Sequence, residues 1–311
     1  MSWGVRLGAW GKLAPCALWL AAWGVWLGAC VLGLGAWVSA TEQVSRPARI
    51  ISLIPAVTEM LFAIGAGDQV AGVSSFDTYP PEAATRARVG ALLNPDFERI
   101  LSLKPDLVVV YATQTELVSR LTGAGVTTFA YRHTGLADIS TTIASLGDRV
   151  GRSAEAARLV RDLHDSLDAV RRSVAGRLRP RVALVFGREA GTLRNIFVSG
   201  GVGFLHDVVE TAGGQNAFAE VKRESLQVSA EAMLTHAPDI IIETHPSSWD
   251  TSATAREQAV WRTLPGLPAV RSNRIHMLAD DRLLIPGPRI GDAARILAET
   301  IHPGALSKAP D

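Results

Sequence analysis

The chain has 311 residues, room for two ordinary domains, and its 31 basic and 30 acidic residues leave a net charge of +1. That lacks the basic excess a nucleic-acid partner demands. Both cysteines and six of the eight tryptophans fall within residues 1–40, so the remainder has no thiol for a disulfide, a thiolate metal site or a nucleophile.

Residues 1–40 hold only two charges, Arg6 and Lys12, followed by an apolar stretch from Leu13 to Val38 and the small residues Val38-Ser39-Ala40 before Thr41. A short basic head, an apolar middle and small residues at the boundary suit a cleaved signal peptide over 1–40. Two other readings stay open. The uncharged stretch is long enough to span a bilayer as a retained anchor, and Leu27-Gly28-Ala29-Cys30 resembles a lipoprotein cleavage box that would leave Cys30 lipidated. All three readings place the folded part outside the cytoplasm, and a periplasmic address is expected.

Beyond the leader, Arg49–Pro55 reads as a short apolar strand, Thr58–Gly65 as a helix stopped by glycine, and Val70–Ser75 as a second strand. Tyr79-Pro80-Pro81-Glu82 forces a loop. Leu107–Tyr111 and Thr127–Tyr131 are further strands around a helix at Thr115–Thr122, and this alternation predicts right-handed βαβ crossovers in a mostly parallel sheet. Ser153–Leu178 has no Gly or Pro before Gly176, and Leu159, Leu163, Leu167 and Val170 form one apolar stripe. A helix of that span is too long for a crossover within a small lobe and suits a rod between two lobes. Alternation then resumes at Arg181–Phe186, Phe204–Thr211, Ile240–Thr244 and Ile275–Leu278, closing with a helix over Gly291–Thr300.

One motif is written twice. Glu98 leads to Pro105-Asp106 and an aliphatic run to Val110; Glu231 leads to Pro238-Asp239 and a run through Ile242. Each copy reads as a short helix, a proline stop and a buried parallel strand. The expected fold is α/β, two Rossmann-like lobes over 48–150 and 180–303 joined by a long helix over 153–178. Two lobes imply a cleft, where ligands bind.

Arg49–Gly65, Gly72-Val73-Ser74-Ser75, Tyr79-Pro80-Pro81, Leu103-Lys104-Pro105-Asp106 and Ala212-Gly213-Gly214-Gln215-Asn216, in that order, resemble the iron/vitamin B12 class of periplasmic substrate-binding proteins that feed ABC importers. The resemblance covers residues 48–303. It implies capture of a metal chelate between the lobes, delivery to a transmembrane permease, a monomer and no catalysis. It also implies that Glu98 and Glu231, one per lobe, dock on permease arginines. Within the class the nearest likeness is to cobalamin binders. It implies an aromatic wall at Phe76, another aromatic at Tyr111, a polar contact at Asp281, and Ala56 at the mouth of the first strand. Leu92 and Ser225 depart from the pattern, standing where cobalamin binders carry tryptophan. Leu92 is kept as an aliphatic wall, and Arg188 is expected to orient the ligand with Asp281.

No resident cofactor or metal is expected, the chelate being cargo. Haem remains an alternative cargo, with Tyr111, Tyr131, His133 and His245 as candidate axial ligands. So does a ferric siderophore, held by a convergence of Arg188, Arg194 and Arg282. Gly200-Gly201-Val202-Gly203 lacks the third glycine of a dinucleotide loop. Readings of another class are a membrane-tethered sensor, or a chelatase-like enzyme sharing the architecture, against which the exported leader argues.

Overall fold

The computed structural model describes residues 46–132 and 134–306, so the leader and its three readings lie outside the described residues. The compact unit holding all of them begins at Arg46.

The first half contains β1 (Ile50–Ser52), α1 (Pro55–Ala63), β2 (Val70–Val73), β3 (Ala87–Arg88) and a small hairpin of β4 (Gly90–Ala91) and β5 (Asn94–Pro95). It continues through α2 (Phe97–Ser102), β6 (Leu107–Tyr111), α3 (Thr115–Gly123), β7 (Thr127–Tyr131) and α4 (Leu136–Val150). Its parallel sheet runs in the order β3-β2-β1-β6-β7. Strand β6 lies inside the sheet between β1 and β7, and its aliphatic residues Leu107 to Val110 are wholly buried, as a strand covered on both faces requires. The first helix begins at Pro55 rather than Thr58, because proline at the first helical position forfeits no hydrogen bond.

A single helix, α5 (Ser153–Val174), leads to the second half. Its 22 residues span about 33 Å. The buried face is Ala156, Leu163, Leu167, Val170 and Val174, and Leu159 is only partly covered. The helix stops four residues short of the expected Leu178, where Gly176 turns left-handed at φ 74° and Leu178 is left exposed.

The second half contains β8 (Arg181–Gly187), β9 (Ile196–Ser199), α6 (Phe204–Thr211), β10 (Gln215–Asn216), β11 (Ser225–Val228), α7 (Ala230–His236) and β12 (Ile240–His245). Then come α8 (Thr254–Trp261), α9 (Pro268–Arg271), β13 (Ile275–Ala279) and α10 (Ile290–Ile301). The sheet order is β11-β9-β8-β12-β13, with β10 also beside β8. Strands β9 and β11 run antiparallel to their neighbours, so this sheet is mixed rather than mostly parallel. Gly200 and Gly201, which follow β9, need to be glycine for packing: a Cβ on either would lie 2.0 Å from a backbone carbonyl oxygen, of Arg223 or Ala219.

The repeated motif is repeated in atoms. In the first half the Asp106 carboxylate accepts the Arg49 N–H at 2.9 Å; in the second the Asp239 carboxylate accepts the Arg181 N–H at 2.8 Å. Each aspartate's own N–H returns a bond to the same residue's carbonyl. Lys104 and Ala237, each just before the proline, both hold positive φ. Each Pro-Asp thereby pins the start of its strand to the strand beside it. One hydrophobic core contains residues of β1, β6, α4, α5, β8, β12 and α10, so it continues from one half through the connecting helix into the other.

Candidate functional site

The carboxyl ends of parallel strands are where such folds hold ligands. Here β6 and β7 end in Tyr111 and Tyr131, whose rings meet edge-to-face with centroids 5.3 Å apart. Together with Ala112, Thr113, Arg132 and Thr134 they line a cavity of about 490 Å³, and Glu224 closes its far side from the second half. Glu224 also lines an adjoining cavity of about 210 Å³ with Phe186, Phe204, Ser225 and Leu284. The two cavities meet at Glu224 as one crevice, with Tyr111 and Tyr131 on the larger part and Phe186 of β8 and Phe204 of α6 on the smaller. Burial pushes both tyrosine hydroxyls up, Tyr131 furthest, so both stay protonated in the physiological range.

Gln114 ties Leu92 to this wall. Its side chain accepts the Tyr111 N–H at 2.9 Å and donates to the Leu92 carbonyl at 2.7 Å. Phe76, on the loop after β2, is 67% exposed. The loop beneath is fixed: the Ser74 hydroxyl donates to the buried Asp77 carboxylate, and Arg88 donates to the carbonyls of Ser74 and Asp77. Burial raises Asp77, with the Ser74 bond opposing.

Ala56 is 3% exposed, in the first turn of α1. It contributes close backbone packing rather than a side-chain surface, since a Cβ on Gly287 would lie 3.7 Å from its Cα. The same seam holds an ion pair between the halves, Arg289 Nε donating to Glu59 Oε2 at 2.8 Å, and the Arg289 guanidinium lies 3.9 Å from the Tyr79 ring centroid. Burial raises Glu59, while Arg289 pulls it back. Asp281, in the short 3₁₀ turn Asp281–Leu283, is partly exposed. It accepts the Ser247 N–H through its carboxylate, and its own N–H donates to the Ser247 hydroxyl.

Arg188 is a correction. Its side chain is 2% exposed, with Nε 2.9 Å from Glu243 and Nη2 2.9 Å from Glu257. Trp261 donates to the same Glu243 oxygen at 2.8 Å. A guanidinium so enclosed neutralises two buried carboxylates and is not presented to a ligand. Burial would raise Glu243, but His245, Trp261 and Arg188 together hold it below the usual range; Glu257 is lowered by the Gly191 N–H and by Arg188. The expected siderophore cluster does not form. Arg194 pairs with Glu189, and Arg282 with Asp280 and more distantly Asp292. Of the other haem candidates, His245 stacks on Trp249 at 3.9 Å beside Glu243, and His133 lies outside the described residues. Ser225 does line the crevice. Sequence reading missed Glu224, Phe186 and Phe204, which only the folding of the second sheet brings to the cleft.

Glu98 and Glu231 occupy identical positions, second in α2 and α7. Asp96 and Ser229 cap the two helices through their side chains. Both glutamates are exposed. The Ser229 hydroxyl and the backbone at Glu231 hold Glu231 below its usual range.

The sequence pattern of the family described as "Periplasmic binding protein" matches residues 50–281. The chain is 27% identical to an uncharacterized ABC transporter substrate-binding lipoprotein, YvrC, of Bacillus subtilis, over 85% of this chain and 82% of that one. It is 34% identical to a vitamin B12-binding protein of Salmonella typhimurium, over 69% of this chain and 76% of the relative. Among solved structures, the periplasmic vitamin B12 binding protein BtuF of Vibrio cholerae matches with TM-score 0.70 and 25% identity, covering 84% of this chain and 99% of that one. A periplasmic heme-binding protein, RhuT, of Roseiflexus sp. RS-1 matches with TM-score 0.70 and 27% identity, covering 83% and 99%.

Proposed function

The chain belongs to the periplasmic binding protein family, and from that premise we propose that its cargo is cobalamin, held in the crevice between the two sheets. It is a substrate-binding protein of the kind that serves ABC importers. Its task is capture and delivery, in which no covalent bond is made or broken.

The observation that carries the cobalamin reading is the make-up of the crevice. Tyr111 and Tyr131 line the larger cavity and Phe186 and Phe204 the smaller, and Glu224, whose carboxylate has no partner among the described residues, lines both. Aromatic faces suit the broad surface of a corrin ring, and hydrogen-bond acceptors at the rim suit its peripheral amides. Phe76 and Leu92, which line neither cavity, would extend the apolar wall around a bound corrin. Asp281 is the remaining polar contact at the periphery.

Delivery rests on Glu98 and Glu231. Two exposed carboxylates on duplicated helices form a pseudo-symmetric pair, which fixes register against arginines on a two-fold permease. The protein would work outside the cytoplasm, as a periplasmic or lipid-anchored monomer.

The test is visible absorption. Full-length protein is mixed separately with cyanocobalamin, hemin and a ferric siderophore, then desalted. Retention of the cyanocobalamin spectrum at a stoichiometry of about one, with the other two removed, is the expected result. Retention of hemin alone, with a tyrosinate-to-iron charge-transfer band that is lost in Tyr111→Phe, would replace cobalamin by haem.

A further inference from the structure

Glu224 stands at the junction of the two cavities, the residue that lines both. It precedes β11 on the second half and faces Tyr111 and Arg132 on the first. Its main chain is fixed, since its carbonyl accepts the Gly200 N–H at 3.1 Å. Its stem rests on Gly203, where φ is 96° and a Cβ would stand 3.1 Å from Glu224 Cγ. Only glycine tolerates that φ together with that close approach. The side chain is thereby seated beside the start of α6, which no side chain caps.

The carboxylate itself is exposed. Glu243, Glu257, Glu59 and Glu210 each hold an arginine, whereas no hydrogen bond or ion pair reaches the Glu224 carboxylate among the described residues. Arg132 lines the larger cavity but not the smaller one. The tyrosine opposite is raised by burial and then by the Glu224 charge, so no phenolate competes with the carboxylate as an acceptor at this point.

We propose that Glu224 is the specificity-determining residue of the crevice, selecting cargo whose rim carries amide N–H donors against cargo whose rim carries carboxylates. The inference rests on the cobalamin reading and sharpens it. A carboxylate has only acceptors. Facing a primary amide it gains a charge-assisted hydrogen bond. Facing a ligand carboxylate, it meets a like charge, and Arg132, the cation of the larger cavity, does not reach the smaller one. Corrinoids bear amides around the ring, and haem bears two propionates there. The same aromatic walls would suit either ring, so the choice falls to the rim.

The test is a cycle of ligand and protein changes, using the full chain. Affinities are measured for cyanocobalamin and for each isomer of its monocarboxylate, in which one peripheral amide is hydrolysed. The proteins are wild type, Glu224→Gln and Glu224→Arg. The wild type should prefer the amide over at least one isomer by about tenfold or more, the order of one charge-assisted hydrogen bond. Glu224→Gln, the same size but neutral, should shrink that preference to about threefold or less, and Glu224→Arg should reverse it. Melting temperatures should be alike, because the residue is exposed. An identical preference in wild type and Glu224→Gln for every isomer overturns the assignment while leaving cobalamin as cargo. Failure of the wild type to retain cyanocobalamin counts instead against the cargo. The same cycle is then run with hemin and its propionamide derivative, and a wild-type preference for the carboxylate form overturns the role of Glu224 as well.

Discussion

At the scale of single residues, charge burial separates architecture from ligand contact. Arg188 sits between Glu243 and Glu257 and is closed off from solvent. Replacing it by methionine keeps the volume but strands two carboxylates, which should cost about 3–5 kcal/mol in urea unfolding at pH 7. The pH dependence has a definite sign. In the wild type both carboxylates are lowered, so the stability they contribute is present at neutral pH and is lost as pH falls through and below the usual carboxylate range. In Arg188→Met burial remains the largest influence on Glu243 and works to raise it, whereas the Gly191 N–H still lowers Glu257, so acid relieves the part of the penalty that sits on Glu243. The gap between variant and wild type should narrow from pH 7 to pH 4. Cyanocobalamin affinity of the folded variant should stay within about threefold of wild type; a larger fall would return Arg188 to the ligand site. Phe76 is the opposite case, an exposed ring that contributes little to the folded core. Phe76→Ala should leave the melting temperature nearly unchanged and weaken cyanocobalamin binding by about tenfold, as burying one aromatic face is worth on the order of 1–2 kcal/mol. Sequence could not separate these two residues. Arg188 follows a strand and looks cleft-facing, and its partners lie 55 and 69 positions away (243 − 188 and 257 − 188).

At the scale of elements, much was legible because the signals are local. Leu107–Tyr111 and Thr127–Tyr131 are strands over the expected residues, and the Pro-Asp repeats end short helices just before buried strands. Helix α4 escaped, although Ile139, Ile143, Leu146 and Val150 line its buried face. Its threonines and two serines interrupt the pattern, and Gly135 offers no side-chain cap to announce it. The antiparallel strands β9 and β11 escaped because their pairing depends on turns rather than on composition. The duplicated helices lead to a transport test. Changing Glu98 and Glu231 together to lysine alters only exposed side chains on the first turns of α2 and α7. Ligand affinity should hold within about twofold and stability should barely move, while uptake in a strain dependent on this importer falls to background. Each single reversal should give a partial and similar defect. Normal uptake by the double variant would reject docking through this pair.

At the scale of the whole described unit, the two sheets are coupled rather than merely tethered. The hydrophobic core runs from β6 through α5 to β12 and α10. The Asp207 carboxylate of α6 accepts the Leu136 N–H of α4 at 2.9 Å, and Arg289 joins Glu59 across the seam. A cleft protein built this way resists wide hinge motion, because separating the sheets would expose core as well as breaking a buried ion pair. The two halves should therefore unfold together. Hydrogen exchange followed by mass spectrometry through a urea series should show peptides covering β6 and β12 losing protection at the same midpoint. Leu163→Ala, in the buried stripe of α5, should lower both midpoints equally, by about 2–5 kcal/mol of stability. Arg289→Ala tests the seam alone. It leaves Glu59 buried without its partner, and burial already raises this carboxyl. A raised carboxyl favours the folded state most at low pH and loses that contribution as pH rises through its folded value. The cost of Arg289→Ala, about 3–5 kcal/mol at pH 7, should accordingly shrink on moving to pH 5, in β6 and β12 alike. Loss of protection in β12 at a urea concentration that leaves β6 intact would show that each sheet folds on its own, and α5 would then be a linker rather than part of the core.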